Sequence, residues 1–147
     1  MENETAATPA KPAKSSKGKL ALLVFGTYLL ISLAASTWLM SRCRAELRAP
    51  LASVGKDAFR DTAKLARDLE KYSPRHRYGV IFKCLPPFGW QAERRIIAME
   101  EMIVYGSKNF ALPVGERFKD PDEAKKHHFD PALKSDDELA RQVMANL

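Results

Sequence analysis

The chain has 147 residues, with 24 Lys/Arg against 18 Asp/Glu for a net charge of +6, three histidines and two cysteines. Residues 1–44 carry six Lys/Arg against two Glu, and residues 45–147 carry eighteen against sixteen, so the basic excess sits in the first third of the chain. With that distribution and no motif of a nucleic-acid module, nucleic acid is not an expected partner, and Cys43 and Cys84 are too few for a disulfide framework or a structural zinc site.

Residues 1–19 are rich in Ala, Pro, Lys, Ser and Thr and hold no large apolar side chain beyond Met1. Such a segment cannot bury enough surface to offset its chain entropy, so a disordered basic tail is expected. Leu20 to Met40, LALLVFGTYLLISLAASTWLM, contains no charge. Its length as a helix is about 31 Å, which matches the roughly 30 Å hydrocarbon thickness of a bilayer, and it reads as a single-pass transmembrane helix. Thr27, Ser32, Ser36 and Thr37 can return their hydroxyls to helix carbonyls, and Trp38 suits the far boundary. Lys17 and Lys19 before the helix and Arg42 and Arg44 after it are candidates for contact with lipid head groups.

The two basic flanks nearly balance. A short tail that need not be translocated favours an N-terminus in the cytoplasm, with the C-terminal domain on the non-cytoplasmic side. An alternative reading takes Ala34-Ala35-Ser36 as a signal-peptidase site, with an exported soluble binding protein or enzyme released near Ser36. The apolar run continues through Met40, which favours an uncleaved anchor. Cys43, between Arg42 and Arg44, is an interfacial thiol at which reversible acylation is chemically reasonable.

Residues 41–73 read as a juxtamembrane amphipathic helix of about six turns, with Pro50 as a kink or as the start of a second helix. Leu51, Val54, Leu65, Leu69 and Tyr72 share its apolar face and are candidate partner contacts. Residues 74–147 are expected to form a small, mainly helical domain. Tyr78 to Leu85, YGVIFKCL, has the β-branched and aromatic character of one short strand. The turn Pro86-Pro87-Phe88-Gly89-Trp90 follows. Its aromatics Phe88 and Trp90 suit either closure of a small core, the favoured reading, or a docking patch, and both are candidate partner contacts.

A helix is predicted over Gln91–Tyr105, stopped by Gly106, with Ala92, Ile96, Met99 and Ile103 as its core stripe and Glu93, Glu100 and Glu101 on a solvated face. Residues 107–118 read as a loop anchored by Phe110, Leu112 and Val114. Asp120-Pro121 opens a brief helix that ends by Asp130-Pro131, and Ser135 with Glu138 forms a capping box for a final helix bearing Leu139, Val143 and Met144.

No metal site is expected, since the His127-His128 side chains diverge on a helix and lack a third ligand. No cofactor or catalytic residue is expected either. The sequence has no phosphate loop, nucleophile elbow, HExxH, CxxC or dinucleotide fingerprint, and Cys84 sits in an apolar setting that would blunt its reactivity. The expected class is thus mainly α: a membrane anchor and a small helical domain, not an enzyme. Its expected role is as an accessory or assembly subunit of a membrane or envelope complex, whose partners are membrane lipids and other protein subunits.

Overall fold

The computed structural model describes residues 16–54, 57, 59, 61–133 and 135–147, and within them the side chains of all but Ser16, Ser53, Val54, Thr62 and Tyr72. Among these residues the elements in chain order are α1 (Ser16–Val54), α2 (Thr62–Tyr72), α3 (Pro74–Lys83), α4 (Phe88–Phe110), a 3-10 turn (Val114–Glu116), α5 (Pro121–Lys126) and α6 (Asp136–Asn146), with no strand. The chain divides into two units, residues 1–31 and 32–147.

In the first unit, residues 1–15 of the expected tail lie outside the described residues, while Ser16–Lys19 already form the first turn of α1. Lysine is a good helix former, and the prolines of this region lie upstream of Ser16. Leu20, Leu22, Leu23, Val24, Phe25, Leu30 and Ile31 are all exposed. Thr27 Oγ1 donates to the Leu23 carbonyl at 2.9 Å, so the hydroxyl costs the apolar surface little. Among the described residues, α1 is the one helix long and apolar enough to cross a membrane.

The second unit is built around α4, which packs against α2, α3 and α6. The stripe of Ala92, Ile96, Met99 and Ile103 is buried as its spacing predicts. The helix does not stop at Gly106 but runs on to Phe110. Gly106 serves close packing instead. A β-carbon there would lie 2.8 Å from the Phe129 ring and 3.2 Å from Val143 Cγ2, so the missing side chain admits the segment after α5 and the face of α6.

The short strand expected over Tyr78–Leu85 is instead helical as far as Lys83, with Cys84 as the C-cap and Leu85 in the bend beyond, and a mainly α fold with at most one short strand is met here with no strand among the described residues. Pro74 occupies the first turn of α3, and Ser73 Oγ accepts the Arg75 N–H at 3.1 Å, which together set a helix start. Tyr78 and Phe82, four apart, then turn inward while Val80 and Ile81 are exposed, a helical and not a two-residue alternation. The expected six-turn helix over 41–73 is also two pieces. α1 continues through Pro50 to Val54, and α2 begins afresh after Asp61, whose Oδ1 accepts the Lys64 N–H at 2.9 Å.

Between α4 and α5, Phe110 is buried as an anchor, but Leu112 and Val114 are exposed. The anchor in their place is Phe118, which adopts a left-handed φ of 51° with its N–H donated to Asn109 Oδ1 at 3.0 Å. Phe118 stacks on Phe129 with ring centroids 5.4 Å apart, and Tyr105 lies against both rings. Both later helix starts follow the sequence: Asp120 Oδ1 accepts the N–H groups of Asp122 and Glu123, and the Ser135–Glu138 capping box is complete.

Candidate functional site

Along α1 from Ser32 to Leu51, within the second unit, Ser32, Ser36, Leu39, Met40, Cys43, Leu47 and Leu51 form a buried stripe. Ser32 Oγ donates to the Leu85 carbonyl at 2.9 Å, and Glu46 accepts from Tyr78 Oη at 2.8 Å and Arg77 at 3.3 Å. These contacts set α3 alongside α1 and antiparallel to it. After a turn containing the cis Pro86–Pro87 bond, α4 returns parallel to α1. Gly89 permits the reversal: a β-carbon there would lie 2.1 Å from the Phe82 carbonyl oxygen. The tip of this α3–α4 hairpin exposes Val80, Ile81 and Trp90.

Residues of α1 and α4 line an open groove of about 560 Å³. Its lining is graded. Leu33, Met40, Phe88 and Ala92 make one end apolar, and Arg44, Arg48 and Arg95 make the other cationic. Ser36 lies within the apolar end, between Leu33 and Met40 on α1, and is 4% exposed, with an Oγ that is buried and has no hydrogen-bond partner. None of the three arginines forms a salt bridge among the described residues, and no carboxylate lines the groove. A second groove of about 500 Å³ lies between α1 and α2, lined by Leu47, Pro50, Leu65, Leu69 and Pro74 with the charged Glu46, Asp68 and Arg77. A third cleft, about 440 Å³, brings together Glu100, Glu101, Glu123, His76, His127 and Tyr105. There, burial pushes the Tyr105 phenol up from its ordinary value, an effect partly offset by its hydrogen bond with Asn109. His127 stacks on Tyr105 and faces Glu123 Oε1 at 3.2 Å, while the His128 carbonyl caps the side chains of Gln142 and Asn146.

The residues singled out in the sequence fall into distinct places. Leu51 is 3% exposed and belongs to the core, which removes it from the surface available to a partner. Leu65 and Leu69 are half-buried and line the α1–α2 groove, and the side chains of Val54 and Tyr72 lie outside the described residues. Phe88 is half-buried in the α1–α4 groove; Trp90, 53% exposed, does not close the core and donates its indole N–H to the Lys83 carbonyl at 3.3 Å. Lys17, Lys19, Arg42 and Arg44 are exposed, with Arg42 over the Trp38 ring at 5.9 Å.

Cys43 is 0% exposed and is therefore closed to acylation in the folded state, whereas Cys84, expected within an apolar strand, is exposed at the end of α3. Glu100 is not merely solvated, because it accepts a hydrogen bond from Ser73 Oγ and so steadies the start of α3. Arg48, Arg95 and the orphaned Ser36 hydroxyl are the residues that sequence reasoning missed as a site. The helical spacing Leu33, Ser36, Met40, Arg44, Arg48 was a usable signal for their common face, but nothing local announced α4 beside it.

Comparison of the chain with protein-family models, curated proteins and solved structures finds no match.

Proposed function

We propose that the chain is a single-pass membrane-anchored accessory or assembly subunit, which acts by tethering a small helical domain at a bilayer surface and docking a protein partner there. The observation that carries this reading is α1, long and apolar enough to cross a membrane and lined through residues 20–31 with exposed apolar side chains. A soluble helix with this surface would be an aggregation hazard. Basic residues at both ends of the apolar stretch suit anionic head groups.

An uncleaved anchor is favoured over release near Ser36 by the burial of Ser32 and Ser36 within the second unit, since cleavage there would remove part of the domain's own packing. The α1–α2 groove, with Leu65 and Leu69, is the proposed docking surface for a protein partner. Its occupant is a complementary apolar helix or loop with a basic side chain that meets Asp68.

The test is extraction of the full chain from its native membrane in mild detergent, followed by mass spectrometry of the co-purifying proteins and of the chain's own N-terminus. An intact N-terminus, stoichiometric partners, and at least a five-fold drop in partner yield for Leu65→Asp/Leu69→Asp are expected. A chain that begins near Thr37, or one recovered alone, would overturn the reading.

A further inference from the structure

We propose that the α1–α4 groove seats one anionic phospholipid, with its phosphate between Arg44, Arg48 and Arg95 and an acyl chain along Leu33, Met40, Phe88 and Ala92. The proposal rests on the membrane-anchored reading. From Leu33 to Arg48 the groove follows α1 for about 22 Å. One leaflet with its head groups is roughly 20 Å thick, so the polarity gradient of the groove has the length as well as the direction of a lipid.

Three guanidinium groups that share a groove without a carboxylate repel one another, and a phosphate relieves that repulsion while accepting forked N–H pairs from them. Free phosphate would account for the arginines but not for the apolar half. The volume of about 560 Å³ falls within the range of small-molecule sites and suits a head group with part of one chain, the remainder staying in the leaflet.

The test uses the full chain in a neutral detergent, offered phosphatidylglycerol, phosphatidylcholine or inorganic phosphate, with bound molecules counted by native mass spectrometry. One phosphatidylglycerol per chain is expected, retained at least ten-fold over phosphatidylcholine, with no retention of or competition by inorganic phosphate. Two variants at exposed positions should each lower retention ten-fold while keeping the wild-type helicity and unfolding temperature: Arg44→Gln/Arg48→Gln/Arg95→Gln, which removes the cations, and Thr37→Trp, which fills the groove and leaves them. Lipid retained equally by either variant, inorganic phosphate retained in place of lipid, or a co-purified protein that occupies the groove would overturn the proposal. Alkaline carbonate extraction of the membranes separates the two readings. A chain that stays in the pellet yet holds no lipid refutes the lipid site alone, and a chain released to the supernatant refutes the anchor beneath it.

Discussion

Arg117 fastens three segments of the second unit with one side chain. Its Nη2 reaches Asp136 Oδ1 at 2.6 Å and the Phe110 carbonyl at 3.1 Å, its Nε donates to the Leu112 carbonyl at 3.1 Å, and its plane lies over the Phe110 ring at 5.5 Å. The side chain is 6% exposed, so Nε and Nη2 have exchanged water for these partners while Nη1 is buried without one, and a planar fork serves two carbonyls and a carboxylate together. Arg117→Met keeps the apolar stem but strands the carbonyls and removes the charge from the start of α6. Loss of one partner of a fully buried ion pair costs roughly 3–5 kcal/mol, and Asp136 retains contact with solvent, so a loss of about 2 kcal/mol is expected. The shift of the urea midpoint at unchanged slope measures it.

Among the elements, those fixed by their own nearest residues were legible from the sequence, and those fixed by distant contacts were not. Asp120 with Pro121, and Ser135 with Glu138, satisfy helix N–H groups within one turn, so the starts of α5 and α6 could be read directly. For α3, Val80, Ile81 and Phe82 gave a strand preference that was overridden by burial of Tyr78 and Phe82 against neighbours and by the Ser73–Glu100 contact, 27 residues apart. Gly106 could not be told from a helix stop without Phe129 and Val143 in view. The groove was hidden for the same reason: Arg44 was recognisable as a cation near lipid, but its convergence with Arg95 depends on the α3–α4 reversal. That reversal supplies a test. In Gly89→Ala the new methyl would stand 2.1 Å from the Phe82 carbonyl oxygen and 2.9 Å from Leu85 Cβ, against backbone that cannot swing aside. The expected cost is about 2 kcal/mol, with amide exchange rising in α3 and the first turns of α4 while α5 and α6 stay protected.

At the scale of the whole molecule, the stretch that reads as a membrane anchor contributes to the folded domain. The apolar sequence runs unbroken to Met40, yet Ser32, Ser36, Leu39 and Met40 lie in the buried stripe of the second unit. The domain therefore depends on residues that a cleavage near Ser36 would remove. A chain that begins at Thr37 loses the Ser32–Leu85 hydrogen bond, worth about 1 kcal/mol. In the same detergent it should unfold about 5 °C below a chain that begins at Ser32, as followed by circular dichroism.

The contrast between the two cysteines has a practical consequence. With Cys43 sealed in the interior and Cys84 open at the turn of the α3–α4 hairpin, the native chain offers one reactive sulfur, only a few residues from Phe88 at the apolar end of the groove. A nitroxide or environment-sensitive dye attached there needs no engineered sequence, and its relaxation by dissolved oxygen or by a water-soluble paramagnet reads the immersion depth of the hairpin tip on the unaltered protein.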